Sequence, residues 1–339
     1  MDMKEYIREF TLKDIVKVRN PKVVAIGGGT GLSVILRGLK KYTDNLTAVV
    51  TVGDDGGGSG KLREELGILP PGDIRSCILA LADDENVMQE LFNYRFPGGP
   101  MAGQSFGNLF LAAMNGISHD FYDAVRRTSD VLQIKGEVLP VTLSPMVLMA
   151  TLKNGEIIEG ESAIPLAALE QQSPITQIFL KQDDTKPLPE TIEAIKNADM
   201  IVLGPGSLYT SVIPNLLVKD VARAIFDSRA RRFYICNIMT QPGETDGYTQ
   251  EDHIRAIEDH LDQAEGRIFD YVVANTGNLP RSIEEKYKKC AATVVGIKNP
   301  IEQYEYILDD YVVMENGFVR HDADLLARRI FETLSLIHI

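Results

Sequence analysis

Asp54 and Asp55 stand side by side at the end of an apolar run, and a glycine-rich stretch ending on Lys61 follows: residues 49–62 read VVTVGDDGGGSGKL. Glycine loops ahead of helices bind phosphate because bare backbone amides can reach its oxygens, whereas two carboxylates repel it. The stretch fails as a P-loop. Counting back from Gly60 and Lys61 puts Asp55 where the first glycine belongs, and Leu62 replaces the magnesium-binding hydroxyl. It also fails as a GxSxG nucleophile elbow, since Lys61 takes the last position. The paired acids make chemical sense if they meet a ribose hydroxyl or a divalent cation while other groups hold the phosphate. The bland alternative is an Asp-rich turn capped by its own side chains.

Other loops supply such groups. Residues 27–31 read GGGTG directly after the apolar run KVVAI, with Leu32 where the dinucleotide fingerprint needs its third glycine. Gly28, Gly29 and Gly31 let amides approach a phosphate at a helix start, and Thr30 adds a hydroxyl. Asp54 and Gly56 lie near the end of the next strand, roughly 20 residues on, where an acid holds ribose in NAD-type sites. Downstream, GPGSLYTS (204–211) offers Gly204, Gly206, Ser207, Leu208 and Tyr209 as an anion or sugar cradle. Asn237, Thr240, Gln241 and Glu244 crowd the loop CNIMTQPGETDGY (236–248). PPGDIRS (70–76) marks Asp73 as a helix N-cap with Arg75 behind it, and GQSFGNLFL (103–111) places Ser105 and Asn108 at another helix start. The five histidines show no metal spacing, His321 reads as a helix-start residue, and the Met-rich PMVLMA (145–150) reads as core.

The elements that must position these loops alternate strand and helix. KVVAI (22–26) and LTAVVTV (46–52) are continuous apolar runs, as buried parallel strands require, and LSVILRGLKKY (32–42) between them has helical spacing. Helical patterns fill 73–134. Over 136–180 short strand patterns take over, with Asn154-Gly155 as a hairpin turn, which predicts a small antiparallel excursion. Parallel-type strands return in ADMIVLGPG (198–206), RRFYICN (231–237) and IFDYVVANTG (268–277). The fold class expected is α/β, a Rossmann-like doubly wound, mostly parallel sheet over 21–335, with a flexible lead-in over 1–20. Ligands in such sheets sit beyond the carboxyl ends of the strands, so all these loops converge on one crevice.

Bulk properties narrow the partners. A formal charge of −13 over 339 residues speaks against a nucleic-acid or anionic-membrane surface. No apolar run approaches the ~20 residues of a membrane span, and the charged N-terminus lacks a signal-peptide core. Three scattered cysteines form no CxxC pair, in keeping with a reducing, cytoplasmic compartment.

Six segments, VVAIGGGTGLSVILRGLKK, VVTVGDDGGGSGKLREELG, PPGDIRSCILALAD, GNLFLAAM, IVLGPGSLYTSVIPNLLV and YICNIMTQPGET, in this order closely resemble the gluconeogenesis factor family. These are the YvcK-like proteins, relatives of the CofD 2-phospho-L-lactate transferases, and the resemblance spans about residues 22–332. It implies a CofD-like fold and a cytoplasmic regulator that binds UDP-N-acetylglucosamine and supports cell-wall precursor supply and cell shape during gluconeogenic growth. The CofD branch implies instead a transferase using a nucleotide-activated donor and a divalent cation such as magnesium, for which Asp55 is the candidate ligand. NAD-like ligands are also associated with the family. By residue, the resemblance assigns Gly28, Gly29, Thr30, Gly31, Asp54, Asp55, Asn108 and 204–209 to ligand loops, and matches Tyr287 in EEKYKK and Arg320 in VRHD to sugar-nucleotide contacts. Gly58 stands where the family has a serine, which removes one hydroxyl from the second loop. A regulated metabolic enzyme and a second copy of the chain are the protein partners it leaves open. A nicotinamide oxidoreductase is the weakest reading, since the fingerprint is incomplete and no proton-relay pair is evident.

Overall fold

A computed structural model of the chain describes Lys13, Val16, Arg19, 20–82, 86–261 and 266–336. The expected lead-in over 1–20 lies almost wholly outside these residues. Seven strands form one sheet in which every neighbouring pair is parallel. In chain order the strands are β1 (Val23–Gly27), β2 (Leu46–Val50), β3 (Glu137–Pro140), β4 (Leu148–Leu152), β5 (Ile157–Glu159), β6 (Ile175–Leu180), β7 (Met200–Leu203), β8 (Arg231–Ile235), β9 (Tyr271–Asn275), β10 (Glu305–Asp309), β11 (Val312–Glu315) and β12 (Phe318–His321). The large sheet runs β10-β9-β8-β7-β1-β2-β3. β1, β7 and β9 are buried along their whole length because helices cover both faces, which is why they read as unbroken apolar runs.

The antiparallel excursion exists, with one correction. β3, grouped with it from the sequence pattern, instead pairs parallel with β2 at the edge of the main sheet (Thr47↔Glu137 to Val50↔Pro140). The helices between β2 and β3 provide the crossover that a parallel pairing needs. The excursion proper is the three-stranded sheet β5-β4-β6, whose hairpin turns at Asn154 and Gly155 with a glycine φ of 89°. A final hairpin, β11–β12, turns at Asn316 and Gly317, both left-handed at φ 51° and 75°.

Chain order fixes the place of the crevice. From β1 the chain winds outward to β2 and β3, then returns to β7 on the other side of β1 and winds outward to β10. The loops leaving the carboxyl ends of β1 and β7 therefore part in opposite directions and open a cleft between them.

Candidate functional site

The two glycine loops meet at that cleft. Gly28 N-caps the helix Gly29–Leu39, which is anchored on the sheet by buried Leu32, Ile35, Leu36 and Leu39. A Cβ on Gly31 would stand 2.4 Å from the Pro205 carbonyl oxygen and 2.7 Å from Gly206 Cα, so glycine is what lets the loops after β1 and β7 touch. Asn237, at the end of β8, clasps the second loop by two bonds: its Oδ1 accepts the Gly206 N–H at 3.3 Å and its Nδ2 donates to the Gly206 carbonyl at 2.8 Å. Gln241 donates to Ser207 Oγ at 2.6 Å, and Asn215 ties the Gly27 carbonyl to the Ser211 carbonyl. The amides at both loops are thus held before any ligand arrives.

The cleft has a volume of about 720 Å³, within the range of nucleotide-sized pockets. Of the residues expected at a ligand, Gly28, Gly29, Thr30, Gly31, Asp54, Gly206, Ser207, Asn237, Thr240, Tyr287 and Arg320 line it. Six others do not, and each has a different employment. Leu208 is core. Tyr209 turns its hydroxyl to that of Tyr248 at 2.7 Å and its ring edge to His260. Gly204 takes φ 76° beneath the loop, against the Ile235 carbonyl. Asn108 is buried in the first turn of the helix Phe106–Gly116, its amide donating to the N-cap Ser105 Oγ. Gly56 N-caps the helix Gly57–Leu66, with its N–H on Asp54 Oδ1 at 2.9 Å.

Asp55 is the sixth. Its two oxygens accept the backbone amides of Glu161 and Ser162, each at 2.9 Å. The carboxylate therefore clasps the turn after β5 to the end of β2, joining the antiparallel sheet to the main one. Asp55→Ala is expected to cost about 1–3 kcal/mol, because two amides lose a charged acceptor, and to loosen 157–170; urea unfolding and hydrogen exchange of that segment check it. The clasp also delivers Glu161 to the cleft beside Asp54 and Asp73. Among the described residues no group of three or more His, Cys, Asp or Glu is arranged to hold a metal ion, so side chains alone make no cation cage here.

Asp73 does not cap its helix. Pro71 occupies the N-cap of Gly72–Leu81, and Asp73 in the first turn sets its carboxylate against the glycine loop, where a Cβ on Gly29 would meet Asp73 Oδ1 at 2.2 Å. Burial, reinforced by the charge of Asp54 and opposed by that of Arg75, pushes Asp73 up to about 7. Glu161 rises to about 8 through burial first, then the charges of Asp54, Asp73, Asp55 and Glu244. Glu244, beneath Ser207 and Thr210, is pushed up by burial to about 7 against the hydrogen bonds of the Tyr209 amide and those two hydroxyls. Two acids that line the cleft, Asp73 and Glu161, thus hold protons near neutrality, and Glu244 does so behind the lining.

The lining also carries two cations, Lys286 and Arg320. The helix Arg281–Lys288 packs on the β11–β12 hairpin through a small apolar cluster of Ile238, Leu279 and Val319, with Tyr287 against it. Tyr287 Oη accepts the Val319 N–H at 2.8 Å, so this tyrosine fastens the wall as well as lining the cleft. His321 and Arg320 sit in β12, not at a helix start. The His321 Nε2 faces the Cys236 carbonyl at 3.1 Å, and burial pushes its imidazole down to about 4, so it is neutral at physiological pH.

Comparison with known proteins settles the ancestry of this arrangement. The sequence model of the CofD family, 2-phospho-L-lactate transferase CofD, matches residues 23–311. The gluconeogenesis factor of Bacillus subtilis is 44% identical over 322 residues, covering 93% of this chain and 99% of its own. The chain belongs to the gluconeogenesis factor family, YvcK-like and CofD-related. A candidate gluconeogenesis factor of Clostridium acetobutylicum is 53% identical over 320 residues, 94% of this chain and 70% of that one. A crystal structure of a UPF0052-family protein from Bacillus halodurans superposes with a TM-score of 0.86 at 44% identity, covering 91% of this chain and 98% of the other.

Several cleft residues carry no signal in the sequence: Glu161, Lys286 and Phe318; Ser211, a hydroxyl of the GPGSLYTS cradle, lines the cleft as that loop predicts. Glu161 lies in the antiparallel excursion, and only the Asp55 clasp brings it in. Lys286 and Phe318 lie on an amphipathic helix and a short hairpin with no motif of their own. No helix among the described residues is long and apolar enough to cross a membrane.

Proposed function

We propose that this protein is a cytoplasmic regulator that binds a UDP-sugar, UDP-N-acetylglucosamine by family resemblance, and so links cell-wall precursor supply and cell shape to gluconeogenic growth. The observation that carries this reading is the polarity of the cleft. The lining includes the N-terminus of the helix Gly29–Leu39 and two cations, Lys286 and Arg320, in a chain of net charge −13. A helix N-terminus and two cations suit a diphosphate, with polar side chains (Asn237, Gln241, Ser207) left for a sugar. A regulated metabolic enzyme is the partner this role calls for.

Calorimetry with UDP-N-acetylglucosamine, GDP and NAD, each with and without magnesium, tests the reading. UDP-sugar binding that is independent of metal and without turnover is the expected result. Arg320→Ala is expected to weaken it about tenfold or more, through loss of a charge-assisted contact. A second reading, a CofD-like transferase, is favoured by Asp54, Asp73 and Glu161 on the same cleft, since magnesium is commonly held by one or two carboxylates together with substrate phosphates. Failure of the UDP-sugar to bind, with a metal-dependent product from another donor, would replace the first reading by the second.

A further inference from the structure

Lys286 and Arg320 share one aromatic ring. Lys286 Nζ lies 4.7 Å from the centre of the Phe318 ring and Arg320 Cζ 5.5 Å from it. Lys286 Nζ also donates to the Gly317 carbonyl at 2.7 Å, in the turn that precedes Phe318. Among the described residues neither cation has a carboxylate at ion-pair distance, although acids outnumber bases 48 to 35 along the chain. Phe318 itself is 49% exposed, a large apolar ring left at the lip of the cleft. A ring in that position buries little apolar area, so packing does not explain it. Its negative face does: it attracts both cations without neutralising either.

We propose that Lys286, Phe318 and Arg320 form a diphosphate clamp, with Phe318 as the positioning residue that holds two unpaired cations together for a nucleoside diphosphate. The inference rests on the nucleotide-binding reading of the cleft and adds the part of the ligand that is recognised and the residues that do it. Two cations and a helix N-terminus on one cleft favour two linked phosphates over one, because a diphosphate brings more negative charge and more acceptor oxygens to them. The side chains are mounted on separate elements, Lys286 on the helix Arg281–Lys288 and Arg320 with Phe318 on β12, so the clamp depends on the Tyr287 bond that joins helix to hairpin.

The test titrates UDP and UMP into the wild type and into Lys286→Gln, Phe318→Leu and Phe318→Tyr by calorimetry, at low and high salt, with thermal melts to confirm folding. The wild type is expected to prefer UDP to UMP. Lys286→Gln and Phe318→Leu are each expected to lose about tenfold in UDP affinity, with little change for UMP and a weaker salt dependence. Phe318→Tyr, which keeps the ring, is expected to restore most of what Phe318→Leu loses. A folded Phe318→Leu that binds UDP with wild-type affinity and salt dependence overturns the clamp. A wild type that binds GDP but no UDP compound sinks the UDP-sugar reading instead, and the same variants titrated with GDP then decide the clamp. A wild type that binds no nucleoside diphosphate overturns both.

Discussion

Gly31→Ala is expected to lower stability by about 3 kcal/mol and to abolish the nucleotide binding proposed for the cleft. The added methyl would meet the Pro205 carbonyl oxygen at 2.4 Å and Gly206 Cα at 2.7 Å. Both are backbone atoms on the loop that leaves β7, and Asn237 holds that loop by two hydrogen bonds, so nothing flexible can yield. Relief requires the β1 and β7 loops to part, which dismantles the cleft, and overpacking of this kind costs on the order of 1–3 kcal/mol even where side chains can move. Gly116→Ala is the control. It sits at the end of a helix with open space around its Cβ position, so it should change stability by only about 0.5 kcal/mol, in the favourable direction. Urea unfolding and calorimetry on both variants decide the matter. A Gly31→Ala protein that unfolds and binds like the wild type would mean that the two loops are not packed as described.

Asp73→Asn is expected to stabilise the protein at pH 8.5 by about 2 kcal/mol and to leave it nearly unchanged at pH 4. Burial and the Asp54 charge raise Asp73 from 3.8 to about 7 in the folded chain. Between those values the folded state holds a proton that the unfolded state has released, so stability falls as pH rises through this window and stays reduced above it. Glu161, raised to about 8, extends the same fall upward. A full shift of this size corresponds to about 1.4 kcal/mol per pH unit, and the smaller figure allows for the water that reaches a part-exposed carboxyl. Melting curves from pH 4 to 9 on wild type and variant provide the check; parallel curves would refute it. The same acids couple ligand to protons. A diphosphate brought beside them raises their proton affinity further, so binding should take up protons and weaken as pH rises through 7–8. Calorimetry in buffers of differing ionisation heat measures that uptake directly.

The alternating apolar runs and the loops that interrupt them were enough to read the doubly wound sheet and the crevice at its carboxyl edge. VVAI (23–26) is buried on both faces because helices cover the sheet on both sides, and a run with no polar position has no other stable home. The residues at the heads of the strands, Gly28 to Gly31 and Gly206 to Ser207, were legible for the same reason: a strand end is a place as well as a sequence. Local pattern failed where a residue's neighbour is distant in the chain. The stretch after Asp55 reads as a loop because glycine is a poor helix former, yet it starts the helix Gly57–Leu66, and Gly60 is required there because a Cβ would strike the Asp55 carbonyl oxygen.

Asp54 and Asp55 show the division most clearly. Adjacency along the chain makes them look like a pair with one task, but each carboxylate is engaged by a different part of the fold. Asp54 faces the cleft, whereas Asp55 is spent on the amides of Glu161 and Ser162, more than a hundred residues away. The sequence by itself determined the sheet, its glycine loops and the family, because those depend on periodicity and on the backbone freedom of residues that lack a Cβ. Only the tertiary structure decided which acid lines the cleft, which polar residues are core, and that Lys286 and Phe318 stand beside Arg320 in its lining. Those depend on contacts between segments whose separation leaves no mark on local composition.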